Sequence, residues 1–385
     1  MDFKQAVKEL EHSSQLRVCK AIETAQASRI KHKDQWYILF GSNNYLGLNG
    51  HPDITQAAVQ ATEAFGTGSG GSRMTTGTTP LHQTLERELA KFKKQDDAIL
   101  FNTGYMANLG LISSITNKNW TILSDKLNHA SIVDGSSLTQ AKTLRYKPMD
   151  TEDLQKKLSK VETENKLIIT DGIFSMDGLM APLSDIGKIA KAHGALLAVD
   201  DAHGFGVLGL NGRGTASELC MSHDIDLHIG TFSKAIPSVG GYVTGRQDLI
   251  DWMRNKARSF IFSTALPAGN VAATLKSLEL IPVADDRRTR LRNNIIRLKT
   301  GLKEMGISVH NDMTPIVPVI IGSSEDTLRI SEYLLEEGYF VPAIRPPTVE
   351  AGTSRLRVSL MATHTPAEID GLLAALKRGL EMVGD

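Results

Sequence analysis

Residues 195–206 read Ala-Leu-Leu-Ala-Val-Asp-Asp-Ala-His-Gly-Phe-Gly. The apolar start is typical of a strand that is buried on both faces of a parallel sheet. A polar segment follows directly, at the position where open α/β sheets place their ligands. Residues 226–234 repeat this order, with Asp-Leu-His-Ile-Gly followed by Thr-Phe-Ser-Lys. The two segments therefore predict two strand ends that carry an acid, Asp200, and an amine, Lys234.

Similar apolar runs alternate with helical patterns from about residue 80 to 245, which predicts an α/β fold with a mostly parallel sheet. The predicted strands are Ala98–Phe101, Thr121–Leu123, Leu167–Thr170, Ala195–Val199, Leu227–Gly230 and Gly241–Thr244. We divide the chain into an N-terminal helical segment (1–39, ending in a strand), a large α/β domain (40–280) and a small α+β domain (281–385). The later elements that we predict are a long helical stretch Val271–Glu304, helices over 325–337 and 366–382, and strands Ile316–Ile321, Tyr339–Ala343 and Leu356–Ser359.

Composition narrows the possible functions. Lys and Arg together number 43, as do Asp and Glu, so no excess of positive charge favours nucleic-acid binding. No apolar run approaches the roughly 20 residues of a membrane span, and the N-terminus does not resemble a signal peptide. We expect a cytoplasmic protein with no membrane segment and no metal site, in which Cys19 and Cys220 stay reduced.

The acid and the amine suit a pyridine-ring cofactor. A carboxylate such as Asp200 beside the ring nitrogen keeps that nitrogen protonated, and an amine such as Lys234 forms a Schiff base with an aldehyde. Either motif alone is more often part of an ordinary polar loop. From residue chemistry alone, a pyridoxal 5'-phosphate (PLP) site and a polar loop remain about equally favoured.

Five segments in this order resemble the α-oxoamine synthase family of fold-type I PLP enzymes. They are Asn44-Tyr-Leu-Gly-Leu, Leu127-Asn-His-Ala-Ser, Phe174-Ser-Met-Asp-Gly, Val199-Asp-Asp-Ala-His-Gly and Thr231-Phe-Ser-Lys-Ala. The resemblance covers about residues 40 to 360. It implies a PLP-dependent transferase with a seven-stranded type of sheet, which acts as a homodimer and joins an amino acid to an acyl thioester with loss of CO2.

The resemblance also implies roles for single residues. Lys234 matches the Schiff-base lysine, Asp200 the partner of the pyridine nitrogen, His203 the partner of the ring's phenolic oxygen, and His129 the histidine stacked on the ring. The further implied cofactor contacts are Gly104, Tyr105, Ser175, Thr231 and Ser233 in the same chain, and Ser263 and Thr264 supplied by the partner subunit.

Four residues match substrate positions of the family: Arg17, Arg345, Thr348 and Arg357. A guanidinium binds a carboxylate through paired hydrogen bonds, and Arg357 matches the arginine that binds the amino-acid carboxylate. Any one of these arginines would by default be a surface charge.

The segment Ala343–Leu360 most resembles family members that condense L-alanine with pimeloyl-CoA, or a pimeloyl carrier protein, in biotin synthesis. Asp171 stands where those members usually have glutamate, which keeps a glycine and acetyl-CoA reaction open as an alternative. A PLP aminotransferase is an alternative from a different class.

We do not interpret the glycine-rich stretch Gly66–Arg73 as a nucleotide-binding loop. It lacks the Gly-Lys-Ser/Thr ending of a phosphate loop, and no clear strand leads into it. In the family that it resembles, a similar segment lies beside the active site, where close backbone approach requires small residues.

Overall fold

The structure, a computed structural model, describes residues 2–384. Their contacts define two compact units. The larger unit comprises Gly50–Ser175 and Leu179–Asp285, and the smaller one comprises the residues up to Asn49, Met176–Gly178 and the residues from Asp286 onward. The domain boundaries that we drew from the sequence remain a prediction.

A seven-stranded sheet forms the centre of the larger unit, in the order β3-β9-β8-β7-β6-β4-β5. Every neighbouring pair is parallel except the two pairs that include β9. The predicted α/β class with a mostly parallel sheet is thereby confirmed. The strands are β3 (Asp97–Phe101), β4 (Trp120–Asp125), β5 (Lys142–Tyr146), β6 (Asn165–Asp171), β7 (Leu196–Asp200), β8 (Leu227–Ser233) and β9 (Pro237–Gly245).

Both faces of this sheet are covered, which explains why its central strands contain consecutive apolar residues. In β6, Leu167 and Ile169 belong to one hydrophobic cluster, while Ile168 between them belongs to the cluster on the opposite face. The helices of the larger unit are α2 (Pro52–Phe65), α3 (Pro80–Lys93), α4 (Gly104–Ile115), α5 (Ala130–Ser137), α6 (Thr151–Leu158), α7 (Leu183–Ala192), α8 (Thr215–Glu218), α9 (Gln247–Lys256), α10 (Arg258–Ile261) and α11 (Ala268–Leu280).

The smaller unit contains two three-stranded sheets, ordered β1-β2-β11 and β10-β13-β12. Its strands are β1 (Arg29–His32), β2 (Gln35–Leu39), β10 (Ile316–Gly322), β11 (Tyr339–Phe340), β12 (Ala343–Ile344) and β13 (Ser354–Ser359). Its helices are α1 (Phe3–His12), α13 (Ser324–Glu336) and α14 (Pro366–Gly384), and α12 (Asp285–Glu304) begins at the boundary between the units. This mixture agrees with the predicted small α+β region.

Several predicted elements need correction. The helical stretch Val271–Glu304 is interrupted by a short 3₁₀ segment at Ile281–Val283, because Pro282 cannot donate the hydrogen bond of a continuing α-helix. The predicted strand Tyr339–Ala343 is two short strands, β11 and β12, in different sheets. In addition, β1 and β5 have no counterpart in the sequence prediction, whereas β2 is the strand predicted at the end of the N-terminal segment.

No helix within residues 2–384 is long and apolar enough to cross a membrane. Over the same residues there is also no group of His, Cys, Asp and Glu side chains that could hold a metal ion.

Candidate active site

A cavity of about 250 Å³ opens in the larger unit at the carboxyl ends of the parallel strands. Asp200 is the last residue of β7, and Lys234 directly follows β8. The structure brings together all the catalytic and same-chain cofactor residues predicted from the sequence. The lining residues are Thr103, Gly104, Tyr105, Asn108, His129, Ser131, Asp171, Ser175, Asp200, Ala202, His203, Thr231, Ser233 and Lys234.

The amine of Lys234 lies beside an imidazole. Its Nζ is 2.8 Å from Nε2 of His203, and the His203 side chain is buried. If the amine carries its full complement of protons, Nε2 must accept this hydrogen bond, so the imidazole proton lies on Nδ1. His203 therefore stabilises one position and one orientation of the amine inside the cavity.

A chain of hydrogen bonds connects the acid to the predicted stacking histidine. Nδ2 of Asn108 lies 2.6 Å from Oδ2 of Asp200 and 2.9 Å from Oγ of Ser131. Oγ of Ser131 in turn lies 2.7 Å from Nδ1 of His129. The backbone N–H of Ala202 donates to Oδ1 of Asp200 at 3.0 Å. These donors keep the Asp200 carboxylate in one orientation.

A helix cap places His129. Its Nδ1 accepts from the N–H of Ser131 at 3.2 Å at the start of α5. Desolvation lowers the pKa of the imidazole, while the charges of Asp200 and Lys234 act on it in opposite directions. The neutral ring with its proton on Nε2 is the form that this cap requires.

A second carboxyl group, Asp171, lines the same cavity. It ends β6 next to the end of β7, and its Oδ2 accepts the N–H of His129 at 3.0 Å. Burial raises the pKa of Asp171 well above its ordinary value, and the neighbouring Asp200 carboxylate raises it further. Both causes favour the protonated form of the Asp171 carboxyl group.

The opposite wall of the cavity has the features of a phosphate site. Helix α4 begins there at Gly104, and the first turn of a helix offers N–H groups and partial positive charge to an anion. The hydroxyl of Thr231 lies 2.8 Å from that of Ser233. A Cβ at Gly104 would lie 3.0 Å from Cβ of Thr231, so a larger residue would narrow this space.

These observations fit PLP. The cavity has a helix N-terminus and two hydroxyls on one side, with a carboxylate and an amine at the ends of adjacent strands. Oδ1 of Asn108 is also buried with no hydrogen-bond partner among residues 2–384. A polar atom of this kind is unusual unless the site receives a further group.

Ser263 and Thr264 do not line this cavity. Nδ2 of Asn102 donates to Oγ of Ser263 at 3.0 Å and to the carbonyl of Thr264 at 2.6 Å. Their predicted contact with the cofactor of a partner subunit stays a prediction.

The predicted substrate residues belong to the smaller unit. Nη2 of Arg17 lies 3.1 Å from Oγ1 of Thr348, and Arg345 donates to the carbonyl of Ser14. Burial lowers the pKa of Arg345, and the positive charge of Arg17 lowers it further. The structure thus places Arg17 close to both Thr348 and Arg345.

Arg357 is buried in β13. Its Nη1 lies 2.8 Å from Oγ of Ser359, and both Nη atoms lie 3.2 Å from Oδ1 of Asn43. Burial raises the pKa of Tyr45 to about 12, although a hydrogen bond from Arg357 opposes that rise. The guanidinium is therefore held in place by the hydrogen bonds to Asn43 and Ser359.

Five lining residues were not predicted as site residues: Thr103, Asn108, Ser131, Asp171 and Ala202. Asn108 lies one helical turn after Gly104, and Ser131 lies two residues after His129, so both follow predicted contacts at short spacing. Asp171 drew notice only as a departure from the family pattern. One signal could have identified Asn108 from the sequence. It is a polar residue one turn into a helix whose N-terminus faces the predicted ligand.

A family model for aminotransferase class I and II matches residues 36–376, and the chain belongs to this family. Within this family, the chain is similar over nearly its whole length to proteins named 8-amino-7-oxononanoate synthase. The protein of Geobacter metallireducens is 44% identical over 373 residues, which are 95% of each chain. A protein of Acetivibrio thermocellus, named putative 8-amino-7-oxononanoate synthase, is 43% identical over 377 residues, covering 98% of this chain and 97% of the relative.

Solved structures agree. Serine palmitoyltransferase from S. paucimobilis, in a variant with bound PLP–myriocin aldimine, has a TM-score of 0.95 at 35% identity, covering 99% of this chain and 97% of that one. The 8-amino-7-oxononanoate synthase from Francisella tularensis has a TM-score of 0.80 at 30% identity, with 91% and 99% covered. The family resemblance and the fold class predicted from the sequence are therefore confirmed.

Proposed function

We propose that the chain is a PLP-dependent acyltransferase that condenses L-alanine with pimeloyl-CoA, or with a pimeloyl carrier protein. The products are 8-amino-7-oxononanoate, CO2 and the free thiol, a reaction of biotin synthesis. The observation that carries this proposal is the convergence of Lys234 and Asp200 on one cavity. The names of relatives at 41–44% identity support the choice of substrates.

Bound PLP supplies a cationic pyridine ring that takes up the electron pair left when a proton or CO2 departs from the substrate's α carbon. Asp200 holds a proton on the ring nitrogen, and the amide of Asn108 keeps the Asp200 carboxylate oriented for this task. Burial and the neighbouring Asp200 carboxylate both oppose a negative charge on Asp171, because both raise its pKa.

Lys234 would hold PLP through its aldehyde carbon. The amine of Lys234 would also be the general base that takes the proton from the α carbon of alanine. His203, 2.8 Å from Nζ, keeps the amine in position. His129 stacks on the ring and Ser175 contacts it, while Gly104, Tyr105, Thr231 and Ser233 hold the phosphate.

Arg357 binds the carboxylate of alanine in this proposal, and its support is a buried guanidinium that Asn43 and Ser359 hold in one orientation. Arg17, Arg345 and Thr348 bind the acyl substrate or the amino acid.

The enzyme acts in the cytoplasm as a homodimer in which Ser263 and Thr264 reach the partner's phosphate site. A monomer by light scattering that still turns over would contradict the dimer.

A second candidate has a specific observation in its favour. The solved structures with a TM-score of 0.94–0.95 are serine palmitoyltransferases, which makes condensation of serine with a long-chain acyl-CoA a candidate reaction.

Thiol release tests the two candidates together with the glycine alternative. The purified, PLP-loaded enzyme is supplied with alanine and pimeloyl-CoA, glycine and acetyl-CoA, or serine and palmitoyl-CoA. We expect kcat/KM to be highest for the first pair, with 8-amino-7-oxononanoate identified by mass. A higher value for either other pair overturns the substrate assignment and leaves the class of enzyme intact. Pyridoxamine phosphate formation without thiol release would instead identify an aminotransferase.

A further inference from the structure

A buried ion pair lies behind the cavity and takes no part in the chemistry described above. Nζ of Lys93, at the end of α3, is 3.3 Å from Oδ2 of Asp201, and the two side chains are only 2% and 1% exposed. Asp201 stands between Asp200 and the segment that carries His203. The pair is therefore adjacent in sequence to two of the proposed functional groups.

The Asp201 carboxylate joins the two ends of one loop. Its Oδ1 accepts from the N–H of Thr215 at 3.0 Å and from the hydroxyl of Thr215 at 2.6 Å. Lys93, which is not part of this loop, binds the same end of it, because its Nζ also donates to the carbonyl of Arg213 at 2.6 Å. Residues 201–215, which include His203, are thus tied together by these two side chains.

The backbone around the carboxylate is fitted closely to it. A Cβ at Gly204 would lie 2.2 Å from Oδ1 of Asp201, and a Cβ at Gly214 would lie 1.6 Å from Oδ2. Glycine at these two positions lets the chain pack directly against the charged group. The ammonium of Lys93 also lies 4.8 Å from the ring centre of Phe205, an arrangement that favours a cation.

The stability of the folded protein does not by itself explain why Lys93 and Asp201 form a buried ion pair. Two charges removed from water lose hydration, and apolar residues of the same volume often serve the folded state as well or better. Burial lowers the pKa of Lys93 and raises that of Asp201, while each charge opposes the shift of the other. What the pair does supply is a fixed geometry for the loop.

We propose that Lys93, Asp201 and Thr215 are positioning residues, which fix the 201–215 loop so that His203 stays beside the amine of Lys234. This inference rests on the proposed function of Lys234 and His203. It adds that the position of the amine depends on residues outside the cavity, none of which touches substrate or cofactor.

The test uses the PLP-loaded enzyme with Lys93→Met, which removes the charge and keeps an unbranched side chain. The matched control is Lys299→Met, because Lys299 is another buried lysine that donates to two backbone carbonyls, those of His310 and Asp312, in the smaller unit. For each variant we measure kcat, KM for alanine, the melting temperature, and the pH at which the visible absorbance of the bound cofactor changes. The groups that face Lys234 across the cavity, and so influence that pH, are His203, His129, Asp171 and Asp200.

For Lys93→Met we expect kcat to fall about 10- to 100-fold, as for a misplaced catalytic group, with a much smaller change in KM. The absorbance titration should shift by about one pH unit, because the Schiff-base nitrogen that Lys234 forms with the cofactor changes its proton affinity when a neighbouring group moves. Lys299→Met should lower the melting temperature without moving kcat or the titration. An unchanged titration and near-normal kcat in Lys93→Met, at a lowered melting temperature, overturn the proposal and leave the pair a structural one.

Thr215→Val gives an independent answer, since it removes one hydroxyl from a buried site and keeps the side-chain volume. Thr215→Val should change kcat and the titration in the same direction as Lys93→Met, by a smaller amount. If Lys93→Met does not fold, the result for Thr215→Val tests the positioning role by itself. The visible spectrum of the wild type distinguishes a failure of the proposed function from a failure of the positioning role. A wild-type protein that binds no PLP refutes the proposed function, whereas normal wild-type behaviour with silent variants refutes only the positioning role.

Discussion

Nδ2 of Asn108 lies 2.6 Å from Oδ2 of Asp200, and both side chains are buried. The amide comes from the second turn of α4 and the carboxylate from the end of β7. One helix thus offers its N-terminus to the proposed phosphate site and orients, through Asn108, the acid at the other end of the cofactor. The contact links the two ends of the site through a single rigid element.

Replacing Asn108 with leucine should therefore weaken the acid's function without unfolding the protein. A hydrogen bond to a buried charged group contributes about 1.5–3 kcal/mol, so we expect kcat to fall by about tenfold or more. Steady-state kinetics and a thermal melt measure this. The matched control is Asn294→Leu in α12, which removes a buried amide that donates to the carbonyls of Met361 and His364 at 3.0 Å. An equal loss of kcat in both variants would show that the effect is not specific to Asp200.

Gly104→Ala should reduce cofactor affinity. The added Cβ would lie 3.0 Å from Cβ of Thr231 and 3.3 Å from its hydroxyl, so it would narrow the proposed phosphate site. Alanine is no worse than glycine in a helix, and the melting temperature of the cofactor-free protein should not fall. We expect the dissociation constant for PLP, measured by fluorescence quenching, to rise about tenfold, equal to ~1.4 kcal/mol. Unchanged PLP affinity would place the phosphate elsewhere.

His364 should make the protein sensitive to mild acid. Its Nε2 lies 3.0 Å from the carbonyl of Leu39 and its Nδ1 accepts the N–H of Met361, so the neutral ring is required. Burial lowers the pKa of His364 to about 4 from its ordinary 6.5. Because the unfolded chain binds the proton more readily, this contribution is present above about pH 6.5 and is lost as the pH falls towards 4.

A fall of the pKa from 6.5 to about 4 corresponds to a loss of about 3 kcal/mol below pH 4, of which about 2 kcal/mol is reached at pH 5.0. Urea unfolding at pH 7.5, 6.0 and 5.0 measures it. His364→Gln should be less stable at pH 7.5, yet lose less on acidification than the wild type does. His223→Gln, at an exposed position, should follow the wild-type pH dependence. If His364→Gln and the wild type lose stability in parallel, another group is responsible for the acid sensitivity.

The sequence predicted the centre of the fold well because that part is built from simple patterns. Strands β6, β7 and β8 are buried on both faces, and each contains a short run that is mostly apolar. The edge strand β5 was missed because its residues, Lys-Thr-Leu-Arg-Tyr, are mostly polar and exposed, as is common where a sheet avoids pairing with another edge. The break at Pro282 was available in the sequence and should have ended the predicted helix there.

The candidate site was predictable where residues follow directly after strands. Asp200, His203 and Lys234 occupy such positions, and the cavity includes all three. Asn108 and Lys93 were not predicted, because their partners, Asp200 and Asp201, are 92 and 108 residues away along the chain. Contacts of this kind depend on how α3 and α4 pack against the sheet, which no local pattern encodes.

The attachment of the cofactor to Lys234 can be measured directly. PLP-loaded protein is reduced with borohydride and digested, and the peptide that carries the pyridoxyl group is identified by mass spectrometry. We predict a single labelled lysine, Lys234, in the wild type. Lys234→Ala should show no labelled peptide, no turnover, and none of the visible absorbance that the wild type owes to its attached cofactor. A label on another lysine, or a Lys234→Ala protein that keeps its absorbance band and its turnover, would contradict the account.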